Sequence, residues 1–177
     1  MKTNPLRSRM ALVVVLGLVA LCVIGYAATT IVVAVGTIPH SELLNGPATV
    51  TVRTISFAPG ELGAWHYHPG PLFNVVTRGT VTVEDGCGEE QAFTVGQAFE
   101  EGGRVHRPKN LGIEPTFAHQ TFVVPEGSPT TVNIPNNERR CGPPRSASEC
   151  KSGWISFTHP RTFNNQGDCI QYINTGQ

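Results

Sequence analysis

The residues best suited to chemistry are histidines. His66 and His68, in Trp65-His66-Tyr67-His68, lie two apart, so on a β-strand both imidazoles project from one face and can share a metal ion while Tyr67 turns away. Such a pair is as often a surface or core feature as a ligand pair, so the frame around it decides its meaning. Here Gly60, five residues, His66, one residue, His68 and later Gly79 form the first half of a frame. Gly96, Gly103, His106, three residues and Asn110 form the second.

The elements that must position these side chains read as strands. Thr49–Phe57 alternates or nearly so until Ala58-Pro59-Gly60 turns it, and further β-like runs follow at 72–77, 80–84, 91–95 and 116–124 with Gly or Pro between them. Short, evenly spaced strands predict an all-β barrel or sandwich with antiparallel closure, and no helix-period segment of useful length stands beyond the N-terminal apolar run. Alternation from Leu72 places Asn74 on the interior face, with Val76 and Phe57 or Phe99 as apolar lining. That lining favours a small, partly hydrophobic ligand over a sugar or a phosphate. His119 joins the pocket if its strand turns that side inward. Glu100 and Glu101 are near enough to supply a carboxylate, and Arg104 and Arg107 flank His106 where an anion would meet the rim.

The two halves together resemble the cupin superfamily, whose first motif runs G-x5-H-x-H-x3-E-x6-G and whose second runs G-x5-P-x-G-x2-H-x3-N. The corresponding segments here are GELGAWHYHPGPLFNVVTRG, from Gly60 to Gly79, and GQAFEEGGRVHRPKN, from Gly96 to Asn110. The resemblance covers roughly residues 48–125 and implies a jelly-roll β-barrel. It implies that His66, His68 and His106 ligate one divalent transition metal in the barrel mouth, with iron, zinc, copper, nickel and manganese as the candidates. Two departures stand out. Leu72 occupies the position of the family's glutamate ligand, and Glu101 occupies that of the second motif's proline, one residue closer to Gly96. Leucine has no donor atom, so the expected centre is a three-histidine face with open positions, an arrangement that some thiol dioxygenases of the superfamily resemble.

Thirteen Lys and Arg balance thirteen Asp and Glu, and 15% of residues are charged, so no nucleic-acid footprint is expected. The balance is uneven along the chain. Lys2, Arg7 and Arg9 precede a stretch with no Lys, Arg, Asp or Glu from Met10 to Gly36, long enough as a helix to cross a bilayer. The basic residues upstream predict a single-pass signal anchor with the rest of the chain extracytoplasmic. The alternative is secretion after cleavage near Gly25-Tyr26-Ala27. The expected organisation is therefore an anchor over 1–36, a barrel over 37–127 and an appendage over 128–177.

Past the anchor stand four cysteines, Cys87, Cys141, Cys150 and Cys169, an even number that suits disulfides in an exported segment and permits three pairings. No CxxC or CxxH spacing points to a structural zinc site among them. The stretch CKSGWISFTHPRTFNNQGDCIQYI, from Cys150 to Ile173, resembles a short C-terminal module of secreted actinobacterial proteins, which implies no activity. That resemblance suggests a Cys150–Cys169 bond over a small apolar cluster at Trp154 and Phe157, leaving Cys87 to pair with Cys141.

Three functions fit these features. One is a metal-dependent, dioxygenase-like oxidation of a small organic molecule; a second is non-catalytic binding of a small ligand in the same pocket. The third is a structural cell-surface barrel whose tail mediates assembly. Barrels of this type also allow a homodimer through an edge strand.

Overall fold

The computed structural model describes residues 28–176. Ten strands build it: β1 (Thr29–Ser41), β2 (Gly46–Phe57), β3 (His66–Tyr67), β4 (Leu72–Arg78), β5 (Thr80–Asp85), β6 (Glu90–Thr94), β7 (Ala98–Glu101), β8 (His106–Lys109), β9 (Thr116–Pro125) and β10 (Val132–Asn133). They form two five-stranded sheets, in the orders β1-β2-β9-β4-β7 and β10-β3-β8-β5-β6, with every pairing antiparallel. This is the all-β architecture expected from the punctuated short runs, and its two antiparallel sheets are consistent with the jelly roll that the resemblance implies.

Inward-facing residues of both sheets fill the barrel. Leu72, Phe122 and Val124 pack as one cluster, Ile55, Phe57 and Ala118 as a second, and Trp65, Val105 and Ile134 as a third. The framing residues of the histidine motifs are structural. Gly79 makes the β4–β5 turn at φ +73°, where a Cβ would come within 2.6 Å of the Thr116 hydroxyl. Asn110 is buried; its amide donates to the carbonyls of Phe57, Ala58 and Glu114, and its oxygen accepts from the Gly112 N–H. It ties three chain segments together below the site and is no ligand.

Two expectations change. Through residue 27 the apolar N-terminal run lies outside the described residues, but Thr29 to Gly36 belong to β1, paired along β2 from Thr29↔Ser56 onward. The barrel thus begins eight residues earlier than the boundary at 37. The composition Thr-Thr-Ile-Val-Val-Ala-Val explains this, because β-branched residues favour a strand as readily as a membrane helix. Among the described residues no helix is long and apolar enough to cross a membrane.

The tail also contains helices that periodicity did not reveal, α1 (Ala147–Gly153) and α2 (Gln166–Thr175). Both are short, and their signal lies in their caps. Ser146 accepts from the Glu149 N–H and Asn165 from the Asp168 N–H, the polar-x-x-acid spacing that satisfies a helix N-terminus. The cysteines pair as Cys150–Cys169 and Cys87–Cys141. Phe157 and Phe163 pack on the first disulfide with Trp154, Ile170 and Tyr172 around them.

Candidate metal centre

Strand pairing brings the three histidines together. His66 on β3 is the direct partner of His106 on β8, and His68 follows His66 on the same face, its N–H held by the Gly102 carbonyl at 3.0 Å. The imidazole centroids stand 4.9 Å (His66–His68), 4.5 Å (His66–His106) and 5.0 Å (His68–His106) apart. One ligand nitrogen from each lies within 4.8 Å of the others.

The backbone decides which nitrogen that is. Each ring donates its Nδ1–H to a carbonyl at 2.7 Å: His66 to Ala64, His68 to Thr130 and His106 to Arg104. The Nε2 lone pairs are left to converge, as in histidine–metal centres, where a partner on the far nitrogen fixes tautomer and orientation. His68 Nε2 and His106 Nε2 are buried with no hydrogen-bond partner. Buried polar atoms without partners are rare in folded proteins, and two converging on one point fit a cation bound between them.

Electrostatics keep the site in its metal-ready form. Burial, reinforced by His106 and Arg53, pushes the His66 pKa down to about 4. Burial, then the repulsion a charge there would meet from a protonated His106 or His66 and from Arg53, pushes His68 to about 2. Both are neutral donors near neutral pH, so few protons compete with a metal there.

Around the histidines runs a chain of polar side chains. Arg53 Nε donates to Gln120 Oε1 (2.7 Å), Gln120 Nε2 to Asn74 Oδ1 (2.8 Å), and Asn74 Nδ2 to Glu101 Oε2 (2.9 Å). The other Glu101 oxygen lies 3.1 Å from His106 Nε2. Asn74 is 1% exposed and takes the inward position that alternation assigns it. His119 does not: Ala118 and Gln120 are buried while His119 between them points to solvent, so the strand presents its other side to the pocket. Glu100 is likewise exposed on β7.

Neither rim arginine is free. Arg104 pairs with Asp85 (2.8 Å) and Glu149 (2.9 Å), while Arg107 pairs with Glu84 (2.7 Å) and lies over the Trp65 ring. The cation that faces the site is Arg53, stacked on Phe122 with its centre 4.3 Å from the ring centroid. Sequence reasoning missed Arg53 and Gln120, because a charged or amide residue within a strand is ordinarily read as facing water. Their direct pairing across β2 and β9 shows that they share a face.

Two cavities reach the centre. One of about 430 Å³ is lined by Arg53, His66, His68, Asn74, Glu101 and Gln120 on its polar side and by Ile55, Phe57, Val81 and Ala118 on its apolar side. A second, of about 940 Å³, approaches His106 and Glu101 past β6 and β7, with Pro143 and Arg145 of the tail on its wall.

With this geometry in place, the family model for the cupin domain matches residues 53–130, which span both histidine motifs. The barrel is a cupin domain. Solved structures similar to this chain include a cupin superfamily protein of Desulfitobacterium hafniense at 13% identity, with 55% of this chain and 78% of that one covered and a TM-score of 0.43. They also include a double-stranded β-helix protein of Klebsiella pneumoniae at 22% identity (60% and 84% covered, TM-score 0.45) and KdgF of a Halomonas species at 20% (53% and 76%, TM-score 0.40). No curated protein matches the chain in sequence. Within the cupin domain, His66, His68 and His106 form a group able to hold a metal ion.

Proposed function

We propose that this cupin domain binds a divalent transition metal through the Nε2 atoms of His66, His68 and His106 and acts on a small organic molecule at the metal's open positions. The observation that carries this reading is the convergence of three imidazoles whose Nδ1 atoms are all committed to backbone carbonyls. A metal held there would supply Lewis-acid or redox chemistry, and a neutral nitrogen face suits zinc, copper, nickel or ferrous iron.

The chain's own residues suggest the kind of molecule. The 430 Å³ cavity holds a small ligand, its apolar wall takes a hydrocarbon body, and Arg53 offers its terminal nitrogens to an anionic group such as a carboxylate. Oxygen-dependent oxidation is the favoured activity; binding without turnover is the alternative.

Elemental analysis of the purified domain beside His66→Ala/His68→Ala tests the metal. Near-stoichiometric metal that disappears in the variant supports the reading, and no metal after reconstitution with each ion overturns it. Oxygen uptake by the loaded protein with a panel of small carboxylates then separates turnover from binding.

Two disulfides and the basic-then-apolar N-terminus support an extracytoplasmic, membrane-anchored placement, which fractionation of producing cells tests. The exposed Ile31, Val32, Val33 and Val35 of edge strand β1 favour a homodimer, to be read by light scattering.

A further inference from the structure

We propose that Glu101 is the fourth ligand of the metal centre, a carboxylate that β7 supplies in place of the one β4 lacks. This rests on the three-histidine reading above and extends it.

The register carries the first part of the argument. Leu72 and Glu101 are direct partners across the β4–β7 ladder, and direct partners on neighbouring strands project to the same face. A carboxylate one strand over, on the longer arm of a glutamate, therefore reaches the space that a residue at position 72 would address. The Glu101 side chain is only 9% exposed, so it points into the barrel although it stands on an edge strand.

The second part is the contact with His106. Because His106 Nδ1 donates its proton to the Arg104 carbonyl, the ring presents a lone pair at Nε2, and 3.1 Å away lies a carboxylate oxygen with lone pairs of its own. His106 Nε2 makes no hydrogen bond, so with the ring in its neutral, metal-binding form the two atoms are acceptors facing each other. Two buried acceptors repel unless a cation lies between them. Two ligands at right angles, each about 2.1 Å from one ion, stand roughly 3 Å apart. The separation seen is that of neighbouring ligands.

The third part is how Glu101 is held. Its Oε2 is taken by Asn74, which is oriented by Gln120, which is oriented by Arg53, so Oε1 alone is presented to the histidines. Support of this kind behind a ligating carboxylate fixes its direction, and its loss typically costs about 10–100-fold in metal affinity. The resulting donor set is three imidazoles and one carboxylate, one negative charge for a dication.

The test titrates metal-free wild type, Glu101→Gln and His68→Ala with Co²⁺ and, in chelator competition, Zn²⁺, reading affinity, the visible Co²⁺ absorption and the thermal midpoint of the metal-free proteins. We expect Glu101→Gln to bind at least about tenfold more weakly with a shifted Co²⁺ band, as loss of a directly bound charge requires. Its metal-free midpoint should be equal to or above that of wild type, because the repulsion at His106 is relieved; a merely structural glutamate would lower it. Unchanged affinity and absorption in Glu101→Gln, with binding abolished in His68→Ala, overturns this inference and leaves the three-histidine reading standing. Wild type that takes up neither ion overturns both. Should Glu101→Gln not fold, Glu101→Asp withdraws the oxygen by one methylene, and an unaltered Co²⁺ band in that variant overturns the inference as well.

Discussion

Leu72 and Glu101 oppose each other directly across the β4–β7 ladder, so the strand without a carboxylate lies against a strand that carries one. Leu72 meanwhile packs with Phe122 and Val124 and is fully buried. Hydrocarbon fills the space under β4 while the charged donor enters from β7. The fold keeps its core and its site on neighbouring strands.

Acid should weaken the metal-free protein in a defined window. An exposed histidine in the unfolded chain titrates near 6.5, whereas His66 and His68 stay neutral down to about 4 and about 2 in the fold. Below pH 6.5 the unfolded chain binds protons that the folded one refuses, so stability falls with pH from 6.5 toward 4. Between pH 6.5 and 5 the loss is on the order of 2 kcal/mol for each histidine. Urea midpoints at pH 7 and pH 5 check this. His68→Phe should flatten the difference, and a pH-independent midpoint in wild type would contradict it.

The interior face of β9 can be separated from its exterior. His119→Ala, on the solvent side, should change stability by less than about 0.5 kcal/mol and leave metal binding intact. Gln120→Leu strands Asn74 Oδ1 and Arg53 Nε, both otherwise satisfied, and should cost about 1–3 kcal/mol. Denaturant unfolding of the two variants side by side tests the assignment, and equal effects would refute it.

Asn110→Ala removes the amide that holds the carbonyls of Phe57, Ala58 and Glu114. The expected cost is on the order of 2–4 kcal/mol, since buried acceptors lose their donors. Zinc stoichiometry at 25 °C should stay at the wild-type value, because Asn110 does not touch the histidines' ligand nitrogens. A fall in stoichiometry while the variant remains folded would place Asn110 in the site.

Cys87→Ser/Cys141→Ser opens a crosslink between residues 54 apart. Chain entropy puts the loss at about 4 kcal/mol. Unfolding under oxidising and reducing conditions measures it, and wild type should shift on reduction while the variant shifts only as far as Cys150–Cys169 dictates.

Much of this architecture was legible in residue order. The runs at 49–57, 72–77, 80–84 and 116–124 lie in strands, that at 91–95 does so up to Thr94, and two-residue alternation placed Asn74 inside because β4 is regular there. β3, β8 and β10 were invisible since two to four residues carry no period. The side taken by His119 was left open for a physical reason: Phe117 and Ala118 put apolar groups on both phases of β9, and the ladder with β2 and β4 chooses between them. Glu101 stood on the page as a candidate carboxylate, but its reach to His106 depends on a pairing that sequence distance does not encode.

Arg104 is held at both ends. Its carbonyl fixes His106, while its guanidinium is clamped by Asp85, by Glu149 and by the carbonyl of Pro143, the last two lying beyond Cys141 in the tail. The next residue, Val105, donates its N–H to the Gly142 carbonyl. The centre and the tail are therefore mechanically linked. The direction of the His106 ring is coupled to the docked tail, and the Cys87–Cys141 bond that secures the tail stands behind the coordination site.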